Sequence, residues 1–137
     1  MTTTAPPRRR LGLLRSDPLR TVLRLDAVVT GVNGAAYLAA APLLTDLLGV
    51  PSGVLRGVGA FLLAYAAGVT LVAARPVISS GATEAVIGAN LLWAAASVAA
   101  VVTDRFPLTG AGTAWVLLQA AVVAGFAAAQ LAALRTR

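Results

Sequence analysis

The chain contains four apolar segments, each about 20 residues long, separated by short stretches that carry Pro, Gly, Ser or charged residues. An α-helix rises about 1.5 Å per residue, so such a segment matches the roughly 30 Å hydrocarbon core of a bilayer. The pattern predicts an all-α integral membrane protein built as a four-helix bundle. The predicted helices cover residues 17–41, 53–74, 82–103 and 112–134.

Composition argues against a soluble bundle with the same helices. Hydrophobic residues make up 58% of the chain and charged residues 12%, whereas about 25% of the residues of a soluble domain are charged. A soluble bundle would carry a broad polar face along each helix, whereas the polar residues inside these segments are isolated among apolar ones. We therefore expect the lipid bilayer to cover the outer surface, and we expect no nucleic-acid partner.

The domain organisation follows from the difference between the polar N-terminal stretch and the apolar remainder of the chain. Residues 1–15, MTTTAPPRRRLGLLR, are polar and rich in Arg, which predicts a disordered cytoplasmic tail. Residues 16–137 form the predicted membrane domain, which begins at Ser16-Asp17-Pro18 with residues suited to a helix start. Residues 43–50, between two prolines, predict a short interfacial turn or helix.

The Arg distribution predicts the orientation of the protein. All eleven basic residues are Arg, and only Arg56 and Arg105 fall on one predicted side of the membrane. Cytoplasmic segments carry an excess of basic residues. We therefore expect a multi-pass protein of the bacterial cytoplasmic membrane with both termini in the cytoplasm. Nine residues lie on the predicted cytoplasmic side: Arg8, Arg9, Arg10, Arg15, Arg20, Arg24, Arg75, Arg135 and Arg137.

The chain has no Cys and no His, which excludes disulfides, thiolate chemistry and imidazole-ligated metals. No metal site and no cofactor is expected.

Two segments resemble one another and predict an internal repeat. DAVVTGVNGAAYLAAAPLLTD begins at Asp26, and EAVIGANLLWAAASVAAVVTD begins at Glu84. A repeat of two helices implies a parallel 2+2 duplication. It would place Asp26 level with Glu84, and Asn33 level with Asn90.

The polar residues of the first helix share one face, since Asp26, Thr30, Asn33 and Tyr37 have helical spacing. Similar stripes occur in the third and fourth helices, and the last one includes Gln130. Unsatisfied polar groups are costly in lipid, so the stripes are expected to face the bundle interior. The candidate ligand-binding residues are Asn33, Tyr37, Asn90, Trp93 and Gln119.

Each polar residue also has a structural interpretation. The amides are suited to hydrogen bonds between helices. Asp26 is suited either to an ion pair with Arg20, Arg24 or Arg75, or to a proton or cation site. The same alternatives apply to Glu84.

Three functions are compatible with these features. The first is binding of a lipophilic small molecule or a membrane partner protein through the interior polar stripe, with a homodimer as one possible assembly. The second is proton-coupled transport of a small molecule. The third is an enzyme acting on a lipid or isoprenoid substrate, with Asp26 and Glu84 as catalytic acid–base candidates. The absence of a nucleophile–base pair favours a non-enzymatic function.

The stretches RLDAVVTGVNGAAYL, GANLLWAAAS and WVLLQAAVVAGFAAAQ carry a family resemblance. Across residues 18–134 the chain resembles the small four-helix integral membrane proteins of unknown function from high-GC Gram-positive bacteria. It is similar, more loosely, to DoxX-like bundles. This resemblance implies a membrane-embedded helical fold and transfers no catalytic residue.

Overall fold

A computed structural model of the chain describes residues 17–137. Within this range the secondary structure is entirely helical, which confirms the predicted all-α class. The predicted tail at residues 1–15 lies outside the described residues. The five helices are α1 (Pro18–Ala39), α2 (Ala41–Leu48), α3 (Ser52–Ala74), α4 (Ser80–Val102) and α5 (Gly110–Arg135).

Three of these helices, α3, α4 and α5, are long and apolar enough to cross a membrane. The α1 and α2 helices meet the same criterion only together, and they are bent by 97° at the break between them. Large apolar side chains point outward along the long helices, as expected for a surface covered by lipid rather than water. Examples of these exposed side chains are Val28, Val32, Leu71, Leu92, Val102 and Leu118.

Local sequence explains where the long helices begin. The Asp17 carboxylate accepts a hydrogen bond from the Leu19 amide at 3.1 Å, and Pro18 occupies the first helical position. The hydroxyls of Ser79 and Thr109 cap α4 and α5 in the same way. Such caps satisfy amide groups that have no partner within the helix.

The bend between α1 and α2 follows from Pro42. Its ring nitrogen carries no hydrogen and cannot donate to the carbonyl of Leu38, so the hydrogen-bond ladder of α1 cannot continue. The first helix therefore ends at Ala39, slightly earlier than the predicted residue 41. The second, short helix ends at Leu48 and is capped by Gly49, whose φ of 81° lies in the left-handed region.

Helix α1 packs closely along α3 because two glycines face one another. A Cβ atom added at Gly34 would lie 2.8 Å from the Gly59 carbonyl oxygen, and one added at Gly59 would lie 2.8 Å from the Gly34 carbonyl oxygen. The missing side chains thus allow the two backbones to approach, as small residues do in membrane helix pairs.

Helix α4 packs mainly on α5, whereas α3 and α4 touch only sparsely. The two pairs meet chiefly where α1 contacts α5. Buried apolar residues form two separate clusters, one toward the start of α1 and one toward its end. The first contains Leu19, Leu23, Ala27, Val69, Ala73, Ile78 and Val86, and the second contains Tyr37, Ala41, Leu48, Val50, Leu55 and Leu62.

The end of the molecule that carries the start of α1 is held by two Arg side chains. Arg20 donates to the backbone carbonyls of Ala73, Arg75 and Pro76, at or just beyond the end of α3. Arg137 forms a salt bridge with Asp17 at 2.7 Å. These contacts gather the start of α1, the end of α3 and the end of α5 at one end of the helix assembly.

Candidate functional site

A buried carboxylate lies between three helices. Asp26 is 1% exposed, and its Oδ2 accepts hydrogen bonds from the amides of Asn90 at 2.8 Å and Gln130 at 2.7 Å. Its Oδ1 accepts from the Thr30 hydroxyl at 3.0 Å. A buried carboxylate is costly unless its oxygens are hydrogen-bonded. Donors from α1, α4 and α5 supply these bonds.

The hydrogen bonding extends from Asp26 toward α3. The Asn90 amide also donates to the side-chain oxygen of Gln130 at 3.1 Å, and Asn90 Oδ1 accepts from the Tyr65 hydroxyl at 3.1 Å. All four long helices thus contribute to one polar network. This Asp26 network consists of Asp26, Thr30, Tyr65, Asn90 and Gln130.

Asp26 forms no ion pair within residues 17–137. The single salt bridge in this range joins Asp17 and Arg137. The predicted pairing with Arg20, Arg24 or Arg75 is therefore wrong. Arg20 donates instead to backbone carbonyls, and Arg24 is exposed. Asp26 is instead stabilised by hydrogen bonds from neutral side chains. Such bonds were predicted from the sequence only for the amide side chains deeper in the helices.

A cavity of about 390 Å³ adjoins the Asp26 network and lies between the two apolar clusters. All four long helices line it, and the sparse contact between α3 and α4 leaves room for it. Three network residues also belong to its wall: Thr30, Tyr65 and Asn90. The rest of the wall is predominantly apolar and aromatic, with Val29, Phe61, Leu62, Leu92, Trp93, Trp115, Leu118, Val122, Val123 and Phe126 among its residues.

An aromatic stack closes part of the gap between α3 and α4. The Phe61 ring stacks on Trp93 with centroids 5.8 Å apart and on Tyr65 with centroids 6.1 Å apart. Such offset pairs stabilise aromatic contacts by about 1 kcal/mol beyond their buried area. The stack gives the cavity a wall of fixed side chains at this position.

A second polar cluster stands at the opposite end of the cavity. The Trp115 indole nitrogen donates to the Tyr37 hydroxyl at 2.7 Å, and that hydroxyl donates to the Gln119 side-chain oxygen at 3.3 Å. Trp115 and Gln119 line the cavity, whereas Tyr37 lies behind them. The cluster fixes the orientation of two wall residues.

Four of the five predicted ligand-binding residues line this one cavity: Asn33, Asn90, Trp93 and Gln119. Tyr37 contacts it through its hydrogen-bond partners. The helical stripes therefore converge on a common space. Whether a ligand occupies that space stays a prediction.

Three wall residues have polar groups without partners in the described part of the chain: Trp93, Asn33 and Gln119, whose side-chain nitrogen forms no hydrogen bond. The Trp93 indole nitrogen is buried and unpaired. The Asn33 amide forms no hydrogen bond with another described residue, although it belongs to the cavity wall. Buried polar groups are normally hydrogen-bonded, and the indole nitrogen of Trp93 is an exception to this rule. Asn33 is half-buried, so its amide is available to a molecule in the cavity.

The acid–base candidates are not brought together. Glu84 is exposed on the first turns of α4, six residues before Asn90, whereas Asp26 is buried and bonded to Asn90. Asn33 lies seven residues beyond Asp26, or about 10 Å along the helix. The structure thus pairs Asn90 with Asp26, and the levels that the internal repeat predicted are wrong.

Sequence reasoning underestimated two residues of the site. Gln130 is fully buried beside Asp26. The sequence pattern placed it in the inward-facing stripe of the fourth predicted helix, but it was not among the candidate ligand-binding residues. Tyr65 was not among the candidate ligand-binding residues, yet its hydroxyl donates to Asn90 Oδ1. For Gln130 the signal was its place in the same stripe as Gln119. For Tyr65 only the three-dimensional packing reveals the contact.

Comparisons with protein-family models, curated proteins and solved structures found no match to this chain. The resemblance to small four-helix membrane proteins and DoxX-like bundles therefore stays a prediction from the sequence. The interpretation of the cavity depends on its own geometry.

Proposed function

We propose that the protein binds a lipophilic small molecule in the interior cavity between its four long helices. The observation that carries this proposal is the cavity itself. It encloses about 390 Å³ between two packed clusters, with a mostly apolar wall and a few convergent polar groups. Ligand sites in proteins have this size and this composition.

The outer surface around the cavity supports entry from the bilayer. Leu92 is 71% exposed and Leu118 is 58% exposed, although both belong to the cavity wall. Phe61, on the opposite side of the gap between α3 and α4, is also more than half exposed. The cavity is therefore continuous with an apolar outer surface, and a lipophile can reach it without crossing water.

Tryptophan fluorescence tests the proposal directly, because the chain has two Trp residues and both line the cavity. We would titrate the purified protein in detergent with the methyl ester of a brominated fatty acid, since bromine quenches tryptophan. Saturable quenching of the wild type is expected. The variant Ala89→Phe, which places a ring in the cavity, should lose the saturable component. Equal quenching of both proteins would contradict binding in the cavity.

We further propose that the helices form a bundle in the bacterial cytoplasmic membrane with both termini in the cytoplasm. Two observations support this orientation. Arg20 and Arg137 lie together at the end of the assembly that carries the start of α1 and the end of α5. Arg56, near the start of α3, and Arg105, just after the end of α4, lie toward the opposite ends of these helices. An excess of basic residues marks the cytoplasmic side.

Proton-coupled transport is a second candidate, favoured by the surroundings of Asp26. Within residues 17–137 the buried carboxylate has no basic partner, and its donors Thr30 and Asn90 line the cavity. Ionisable groups inside membrane proteins commonly mark proton or ion pathways. A route between Asp26 and the cavity thus needs only a change in these hydrogen bonds.

Cysteine labelling separates transport of a polar solute from binding of a lipophile. The chain lacks Cys, so single Cys residues at positions 33 and 119 would report on the cavity alone. A water-soluble thiol reagent should leave both unlabelled if the cavity is dry. Rapid labelling at both, together with a pH-dependent flux that Asp26→Asn abolishes in proteoliposomes, would favour transport instead.

An enzyme that uses both carboxyl groups on one substrate has no support in this geometry. Asp26 is buried, Glu84 is exposed, and Glu84 does not line the cavity. An acid–base mechanism needs its groups within hydrogen-bond reach of the same substrate.

A further inference from the structure

We infer that the molecule held in the cavity is electrically neutral and presents a hydrogen-bond-accepting oxygen, such as that of an ester, ketone or alcohol, on an apolar body. This inference rests on the proposed ligand-binding function and narrows it to one chemical class. Three features of the wall carry it: its charge, its unpaired groups and its dimensions.

The cavity wall carries no formal charge. Its polar side chains are amides, hydroxyls and indoles. The nearby carboxylate of Asp26 is 1% exposed and already accepts three hydrogen bonds, so it is turned away from a ligand. An ionised ligand group would lose its hydration without gaining an opposite charge. The wall therefore selects against carboxylates, phosphates and ammonium groups.

The unpaired groups of the wall are rich in donors. The indole nitrogen of Trp93 can only donate, and it is buried without a partner among the described residues. The amide of Asn33 is a donor and acceptor that makes no hydrogen bond within the described chain. A ligand oxygen that accepts from the half-buried Asn33 amide gains a hydrogen bond. One that reaches the buried N–H of Trp93 satisfies a donor whose lack of a partner is unfavourable.

By contrast, the indole nitrogen of Trp115 is not available. It donates to the Tyr37 hydroxyl at 2.7 Å. The two tryptophans of the cavity thus form a matched pair, in which the N–H of Trp93 has no partner among the described residues and the N–H of Trp115 is bonded to the protein. This difference is what makes the inference testable with single substitutions.

The volume sets the length of the apolar body. A cavity of about 390 Å³ lies near the lower end of the roughly 300–1,000 Å³ found for small-molecule sites, so the part of a ligand that it holds is small. The opening toward the bilayer allows a longer chain to extend outward past Leu92 and Leu118. Probes with a chain of about 12 carbons are therefore suitable.

The test is competition against the brominated methyl ester, read by recovery of tryptophan fluorescence. The competitors are methyl dodecanoate, dodecane, dodecanoate and dodecyltrimethylammonium. Each is corrected for its partition into protein-free detergent micelles. Methyl dodecanoate should compete several-fold better than dodecane, as one additional neutral hydrogen bond predicts. It should compete at least about tenfold better than either ion.

Substitutions test whether Trp93 and Asn33 cause the preference for methyl dodecanoate over dodecane. In Trp93→Phe, with Trp115 as the reporter, the advantage of methyl dodecanoate over dodecane should fall by several-fold while dodecane still competes. Asn33→Leu provides a second, independent variant if Trp93→Phe does not fold. The control Thr70→Val removes a hydroxyl that bonds to the Ala66 carbonyl in α3, away from the cavity. It should keep the wild-type preference.

The outcomes distinguish this inference from the proposed function. Competition by dodecanoate or dodecyltrimethylammonium as strong as that of the ester would overturn the neutral class and leave lipophile binding intact. An unchanged ester preference in both Trp93→Phe and Asn33→Leu would overturn the role of the unpaired donors. Failure of all four competitors, dodecane included, would overturn the proposed function itself.

Discussion

The side-chain amide of Asn90 in α4 donates to the carboxylate of Asp26 in α1 over 2.8 Å, although the two residues are 64 positions apart in sequence. This contact joins the α1–α3 pair to the α4–α5 pair at a buried position. It also places the buried carboxyl group of Asp26 next to the cavity, because Asn90 belongs to the cavity wall as well. The Asp26 network is thus both a structural junction and a boundary of the site.

The first prediction concerns the energy of this junction. A double-mutant cycle with Asp26→Ala and Asn90→Ala should give a coupling free energy of about 1–2 kcal/mol, the upper part of the range for hydrogen bonds between membrane helices, because both residues are buried. Each single variant should lower the unfolding temperature, measured in detergent.

The control cycle pairs Asn90→Ala with Thr70→Val, whose hydroxyl bonds only to its own helix. Those two effects should add within about 0.5 kcal/mol. A coupling between Asp26 and Asn90 no larger than in the control would show that the bond contributes nothing to stability.

The second prediction concerns the close contact of α1 and α3. Gly34→Ala should destabilise the protein by about 1–3 kcal/mol, because the added Cβ would lie 2.8 Å from the Gly59 carbonyl oxygen. The control is Gly68→Ala in α3, where the added Cβ meets no atom within 4 Å. That change should be neutral or slightly stabilising, since Ala favours a helix over Gly. Thermal unfolding of both variants measures the difference, and equal effects would contradict the contact.

The third prediction concerns the polar cluster at the far end of the cavity. Tyr37→Phe removes the acceptor of the Trp115 indole N–H and the donor to Gln119. In a Trp93→Phe background, where Trp115 is the sole emitter, the emission should shift to shorter wavelength because the indole loses its polar partner. In a Trp115→Phe background the emission of Trp93 should stay unchanged, since Tyr37 is not bonded to it. An equal shift in both backgrounds would indicate a general rearrangement instead.

The fourth prediction concerns orientation in the membrane. Ala111→Cys and Thr136→Cys place single thiols at exposed positions near opposite ends of α5. In intact cells an impermeant thiol reagent should label position 111 and leave position 136 protected until the membrane is opened. The reverse pattern would place both termini outside, and labelling of both would contradict a membrane-spanning α5.

Several features of this fold were accessible from sequence because they depend on local rules. The length of each apolar segment, its capping residue and the flanking prolines determine the ends of α3, α4 and α5 to within two residues. Helical spacing also indicated that Asn33, Asn90 and Gln119 face inward, and all three line the cavity. Periodicity within one helix suffices for such statements.

The features that the sequence could not predict depend on the position of each helix along its neighbours. The apparent repeat predicted that Asn90 would lie level with Asn33, yet the observed packing brings Asn90 to Asp26. The close contact at Gly34 and Gly59 helps to set the position of α1 along α3, and no pattern within a single helix encodes it. For the same reason, the sequence did not reveal that the partners of Asp26 are neutral side chains and not the nearby Arg residues.

The central claim is that the interior cavity holds a lipophilic molecule, and native mass spectrometry of the purified protein tests it most directly. Wild-type protein released from detergent micelles should carry a small neutral adduct, and Ala89→Phe, with its cavity filled, should carry it at a much lower level. Detection of the adduct at the same level in both proteins, or a wild type without any adduct after addition of methyl dodecanoate, would contradict the claim.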